Sequence, residues 1–379
     1  MFSTALFSCF ALLLTLNGRV SASDNAAAKT DPIATKVQQT VQDYHDRGEF
    51  DGVVLIAQGD KIVFQGGFGM ADRVRRLPNT ADTPYRICSI TKQFTALLVM
   101  QLVEQGKLDL DQPIPRYLPD YRQDTGGKIT IKYLLSHTSG LPNLDDALPE
   151  QNGIPGVYTA TDAKFRETAY MVKTYCSGDL VSTPGEKFNY NNADYIVLQA
   201  ILERVTTLSY AQLLAQRILR PLGMQHTGLI TQDAFTKGQA MGYAREKGEC
   251  VPEPYVHIPN FGAAGAMYST AHDLLRWNRA LDQGRLLTKK YREIMFTPYP
   301  ANGYGALGSW VFPFYAKDLK QRPQIIDREG EIGAFHLSNL RVPEDGLSIL
   351  VFSNVTAPDH GAAYMGKGIV FDLLKTLYK

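Results

Sequence analysis

Apolar positions along the chain change their period several times. From Lys36 to Arg47 they fall at Val37, Val41 and Tyr44, the spacing of one helix face. Val53 to Gln58 and Lys61 to Gln65 are short strand-like runs on either side of Gly59-Asp60, a hairpin turn pair. Gly66 to Asp72 continues as a Gly-rich strand or loop. After Pro84 the chain runs from Tyr85 to Phe94 and then into an apolar helical stretch, Thr95 to Gln105, which stops at Gly106. A short helix from Ile129 to Leu135 closes on the turn Ser136 to Pro142. Asn143 to Leu180 has no clear period and is expected to be an inserted loop region over the site.

Helical spacing returns at Ala193 to Val205, at Tyr210 to Ile218, and at Ala271 to Leu281 behind a cap at Ser269 or Thr270. The segment Phe261 to Thr270 is rich in small residues, as where backbone approaches backbone or ligand. Four strand-like runs follow: Ser309 to Phe314, Gln324 to Asp327, Gly333 to Arg341 and Leu347 to Ser353. Gly361 to Tyr378 closes as a helix. Strands at both ends with helices between predict an α+β fold. One antiparallel sheet is built from both termini and flanked by the terminal helices, with a mainly helical region inserted. The sheet region takes about residues 36–85 and 300–379, and the helical region about 86–299.

Composition narrows the class. Of 379 residues, 44% are hydrophobic and 20% charged, ordinary for a globular domain. A net charge of +1 without a basic run argues against a nucleic-acid partner. Residues 1–22 read as a secretory signal peptide: a short apolar core from Ala5 to Leu16, then Val20-Ser21-Ala22 at the cleavage site. Residues 23–35 read as a flexible leader and 36–379 as the folded domain. The expected location is therefore periplasmic or secreted, with no stable membrane span after cleavage. Cys88, Cys176 and Cys250 remain, an odd number that permits one disulfide at most. No Cys/His cluster has metal-ligand spacing, and neither metal nor cofactor is expected.

The candidate chemistry lies at Ser89 and Lys92. Three residues apart on a helix, their side chains share one face, about 5–6 Å apart at Cβ. A serine hydroxyl needs a base to become a nucleophile. A lysine serves if burial and neighbouring cations lower its pKa from about 10.4. Near a helix start, Ser89 would also meet unpaired N–H groups that favour developing negative charge. Cys88 is a rival nucleophile, or a small buried residue under the helix start. Tyr190-Asn191-Asn192 is a second element. Tyr190 can shuttle a proton, and the Asn192 amide can accept from Lys92 while donating to a substrate carbonyl. An Asn cap on the following helix explains the same residues. His137 reads as a structural group tying down a Gly/Pro loop.

Taken in order, these residues resemble the superfamily of class C β-lactamases and penicillin-binding proteins, which also holds D,D-carboxypeptidases, D-aminopeptidases and esterases. Ser89-Ile90-Thr91-Lys92 looks like its Ser-x-x-Lys, and Tyr190-Asn191-Asn192 like its Tyr-x-Asn. Leu135 to Leu141, Arg220 to Met224, Ser269 to Leu274, Tyr304 to Trp310 and Val351 to Asn354 resemble its scaffold segments, over about residues 36–378. The third motif departs. Arg328-Glu329-Gly330-Glu331 aligns where a Lys-Thr-Gly or His-x-Gly strand is expected. Arg328 keeps the charge and suits a two-bond clamp on a substrate carboxylate, but it does not exchange protons.

The resemblance implies catalysis by Ser89, Lys92 and Tyr190, with substrate or oxyanion contacts from Asn192, Arg328, Gly330 and Glu331. It implies an exported amidohydrolase of the D,D-peptidase or β-lactamase type, acting on small molecules or short peptides such as cell-wall D-amino-acid peptides. An esterase on the same scaffold and a non-hydrolytic penicillin-binding sensor are the alternatives.

Overall fold

The computed structural model describes residues 31–150, 155–158, 167–231, 238–246, 249–301, 303–314, 322–356 and 367–378. The expected signal peptide, the leader up to residue 30 and residues 361–366 of the expected closing helix lie outside the described residues.

Helix α1 spans Pro32–Asp46 and so begins inside the stretch read as leader. Proline suits a first helical turn, where no amide donor is needed. Strands β1 (Gly52–Gln58) and β2 (Lys61–Phe68) form the expected hairpin, with Gly59 at φ 57°. Helix α2 (Thr91–Glu104) is followed by α3 (Asn192–Thr206) and α4 (Ala271–Asp282), which Thr270 caps by accepting from Asp273 N. The chain then forms β3 (Trp310–Pro313), β4 (Gln324–Ile332), β5 (Phe335–Val342) and β6 (Leu347–Ser353). It closes with α5 (Ile369–Tyr378).

The six strands form one antiparallel sheet in the order β3-β4-β5-β6-β1-β2. The last strand pairs with the first, so the two ends of the domain complete one sheet. Both faces are covered, which is why β1 and β6 read as continuous apolar runs. Val54, Ile56, Ile349 and Val351 pack with Val37, Val41, Leu373 and Leu374 of the terminal helices. Val53, Leu55, Leu350 and Phe352 join the larger core with the helical region.

Three departures from the expected elements matter. First, β4 does not stop at Asp327. It runs to Ile332, and Arg328 to Glu331 pair in register with Asn339 to His336 of β5. Three charged residues interrupt the apolar pattern here, yet the ladder continues through them. Second, the middle region is not wholly helical. Tyr85–Arg86, Met267–Ser269 and Gly228–Leu229 make a small three-stranded sheet, and Tyr243–Glu246 pairs with Glu249–Pro252. Third, the Asn143 to Leu180 stretch holds short turns at Leu144–Asp146 and Gly156–Tyr158 and a helix at Thr168–Tyr175.

Helix α2 is the spine of the helical region. Thr91 to Leu102 are all buried, the polar Lys92, Gln93, Thr95 and Gln101 among them. It stops at Gly106, φ 67°. Among the described residues, no helix is long and apolar enough to cross a membrane. No group of His, Cys, Asp or Glu among them suits a metal ion.

Candidate active site

The small sheet delivers the chain to Ser89. Ile87 N–H donates to Met267 O at 2.9 Å, and the chain then turns sharply at Cys88, φ 50°. Left-handed backbone is costly for a cysteine, so the surrounding packing holds this bend in place. Ser89 thus lies in a single 3-10 turn, Cys88–Ile90, just ahead of α2 rather than in its first α-turn. From Thr83 to Leu102 every residue is buried except Ser89. Cys88 has no exposed surface, and burial pushes its thiol up to about 12, so it is a packing residue and not a rival thiolate.

Lys92 is fully buried, and its Nζ has three neighbours: Asn192 Oδ1 and Ala264 O at 2.8 Å, and Ser89 Oγ at 3.1 Å. The first two only accept, so two N–H bonds point at them. The third direction faces Ser89. Burial lowers the Lys92 pKa well below the ordinary lysine value, and the Arg328 charge lowers it further, while Asp145 and Asp194 pull the other way. A neutral amine held by these two acceptors would present its lone pair to the serine hydroxyl.

Tyr190 OH lies 2.6 Å from Ser89 Oγ and accepts from Arg328 Nη2 at 2.7 Å. Burial raises the Tyr190 pKa, with Arg328 and the Ser89 contact opposing it. The phenol stays protonated.

The two asparagines divide the roles that the sequence left undecided. Asn191 caps α3, its side chain accepting from Ala193 N at 2.9 Å. Asn192 is the first residue of α3 and offers Oδ1 to Lys92. Its Nδ2 donates to Asp145 Oδ1 at 3.1 Å, where donation to a substrate carbonyl was expected. Asp145 was missed. It sits in the stretch without periodicity, on a short turn where Asn143 Oδ1 accepts from Asp145 N, and an Asn-x-Asp turn was the available sign. Tyr158 OH also donates to Asp145, at 3.0 Å. The Ala264 carbonyl comes from the small-residue segment, where Gly262 (φ 45°) leaves no room for a side chain beside Gln199 Oε1.

Strand β4 walls the other side. Gly330 packs so tightly on the Ser89 turn that a Cβ there would lie 2.4 Å from Ile87 O and 3.1 Å from Ser89 N. Two residues earlier on the same face, Arg328 is 1% exposed and donates from Nε to Ser89 O at 3.0 Å. Its guanidinium carbon lies 4.7 Å from the Trp310 ring centre and 5.1 Å from that of Tyr190. Burial works against this charge, but Tyr190 and Glu329 outweigh it, and its pKa is raised. Glu329 and Glu331 alternate with these residues. Glu329 accepts from Trp310 Nε1 at 2.7 Å, and the exposed Glu331 side chain lies 3.7 Å from His336.

His137 takes the structural role expected of it. Its O accepts from Asn189 N at 2.8 Å and its Nδ1 lies 3.0 Å from the buried Asp194, so it anchors the loop that carries Tyr190. Its ring centre is 4.5 Å from that of Tyr190.

A half-exposed serine, a buried lysine, a tyrosine and an asparagine at the seam of a sheet and a helical region define the active-site-serine class built on Ser-x-x-Lys. The chain belongs to the Beta-lactamase family, whose family model matches residues 37–371. It is 29% identical over 318 residues to PbpX of Bacillus subtilis (strain 168), named for penicillin binding, covering 84% of this chain and 74% of that one. It is 29% identical over 246 residues to protein flp of Staphylococcus aureus (strain MW2), covering 62% of this chain and 46% of the length of flp. The solved structure of D-amino acid amidase from Ochrobactrum anthropi SV3, complexed with D-phenylalanine, superposes with a TM-score of 0.76. Sequence identity is 25%, over 92% of this chain and 99% of that one. The family is one of serine hydrolases.

Proposed function

We propose that this protein is a serine amidohydrolase of the D,D-peptidase-related kind that works through an acyl-enzyme on Ser89. The observation that carries the reading is the hydrogen-bond chain Arg328 to Tyr190 to Ser89 to Lys92. Arginine only donates, so Tyr190 OH accepts from it and turns its own proton to Ser89 Oγ. Ser89 Oγ lies 3.1 Å from Lys92 Nζ, and with the amine neutral the serine proton turns to its lone pair. With Lys92 neutral, every bond in the chain points toward it, and the amine is the base.

In acylation Ser89 Oγ forms a bond to the substrate carbonyl carbon and loses its proton to Lys92. The carbonyl π pair moves to oxygen, held by the N–H groups of Ser89 and Glu331. One such donor is typically worth about 3 kcal/mol. When the C–N bond breaks, Tyr190 protonates the leaving nitrogen and regains a proton from Lys92. Water reverses the sequence and frees the acid. Cell-wall D-amino-acid peptides and their derivatives are the substrate class, and export to the wall compartment goes with this reading. Esters are a second class, favoured by Arg328 in place of a proton-exchanging lysine or histidine.

Intact-mass spectrometry after incubation with a fluorescent penicillin, with a D-alanyl peptide and with a p-nitrophenyl ester tests the reading. An adduct or turnover that vanishes in Ser89→Ala is expected. A lasting penicillin adduct without turnover of any donor would point to a sensor. No adduct and no turnover with any donor would overturn the acyl-enzyme reading.

A further inference from the structure

We infer that Tyr158 is a positioning residue for Lys92: its hydroxyl holds Asp145 against Asn192, the amide that accepts from the lysine. The inserted stretch that carries Asp145 and Tyr158 thereby supports the base itself. The inference rests on the acyl-enzyme reading above.

Tyr158 is 1% exposed, so it works through its neighbours. Its ring lies on that of Phe261, with centres 3.5 Å apart and planes 8° from parallel. Its carbonyl accepts from His257 N at 2.8 Å. Phe261 stands three residues before Ala264, whose carbonyl is the other acceptor of Lys92. A ring fixed in this way aims its O–H in one direction, and it donates to Asp145 Oδ1 at 3.0 Å. Burial and the Asp145 charge raise the Tyr158 pKa well above the ordinary tyrosine value, with the Asn192 amide opposing them, and the phenol stays a donor.

Asp145 is half-buried, on a turn tied to α3 by Leu144 N–H, which donates to Asn191 Oδ1 at 3.2 Å. Its Oδ1 accepts from Tyr158 and also from Asn192 Nδ2, at 3.1 Å. With its nitrogen so engaged, Asn192 keeps its oxygen on Lys92 Nζ at 2.8 Å. The charged and titratable groups around Lys92 are Arg328 on β4, Cys88 ahead of α2, Tyr190 before α3, Asp194 and Tyr195 on α3, and Asp145. Of these, Tyr158 bonds to Asp145, whose charge raises the Lys92 pKa. The influence of Tyr158 on the amine therefore passes through one carboxylate.

The test is kcat/KM on a p-nitrophenyl ester across pH for the wild type, Tyr158→Phe, Asp145→Asn and the double variant. Tyr158→Phe keeps the ring and its stack and removes the O–H. Its acid limb should move to lower pH by about half a unit, in the direction of Asp145→Asn, because a half-buried carboxylate that loses a donor turns toward water and pulls less on Lys92. In the Asp145→Asn background the same change should leave the limb in place, since the amide has no charge to misplace. A limb that stays put in Tyr158→Phe, or moves to higher pH, would overturn the inference. So would an equal shift in both backgrounds, which would have Tyr158 acting without Asp145. Failure of the acyl-enzyme reading looks different: the wild type then acylates at Ser89 at no pH, with the ester or with the penicillin.

Discussion

Lys92 Nζ lies 2.8 Å from Asn192 Oδ1, and this contact decides which way the amide faces. With its oxygen committed to the lysine, Asn192 turns its nitrogen to Asp145. A carboxylate absent from the family motifs thereby enters the electrostatics of the Lys92 amine, two hydrogen bonds away from it.

The pH profile follows from the two shifted groups. Lys92 must be neutral to accept the serine proton, so kcat/KM should rise with pH through a pKa well below the ordinary 10.5. Tyr190 must be protonated to serve the leaving group, so the alkaline limb should lie above 10.0. Steady-state rates across pH check this. A profile still climbing as far as the ordinary lysine range would remove Lys92 from the role of base.

Asp145→Asn should shift the acid limb to lower pH. The Asp145 charge raises the Lys92 pKa, and its loss leaves burial and Arg328 to lower it further. Loss of a positioning hydrogen bond should also reduce kcat/KM on the order of tenfold, or about 1.4 kcal/mol. The same rate profile measured on the variant reads both effects.

Gly330→Ala should injure fold and rate together. The added methyl meets Ile87 O at 2.4 Å, and the strand must retreat from the Ser89 turn. Overpacking of this kind costs about 1–3 kcal/mol, and a shift of about 1 Å at the nucleophile costs on the order of 100-fold in rate. Thermal denaturation and acylation rate, measured side by side, would show both losses. A variant as active as the wild type would mean that the strand has room to spare.

Asp327 provides a test of stability against pH. Burial pushes its carboxyl up to about 7, with Glu329 adding to the shift and the Ser338 hydroxyl opposing it. The folded pKa is above the ordinary 3.8, so this stabilising contribution is present at acid pH and lost as pH rises through about 7. Asp327→Asn keeps an acceptor for Ser338 and cannot ionise. Its melting temperature should therefore gain on that of the wild type between pH 5 and pH 8. A constant difference between the two proteins would refute the shift.

Much of this protein was legible along the chain. The two sheet-forming ends, the buried spine behind Ser89 and the stop at Gly106 follow from local periodicity and glycine, which act over a few residues. Ser89, Lys92, Tyr190, Asn192, Arg328 and Gly330 meet at one seam, and motif order placed them there. Tertiary structure decided the rest, because each undecided point turned on a partner far away in sequence. Whether Asn192 faced Lys92 or the asparagines served only as a helix cap depended on where α3 docks. The Ala264 carbonyl has no side chain to announce it, and Asp145 gains its place only when Asn192 reaches it. That Arg328 bonds to Ser89 O and Tyr190 OH appears only once β4 is in place. A sequence shows which groups a chain owns, but the desolvation and hydrogen-bond direction that set their chemistry arise only when distant segments pack together.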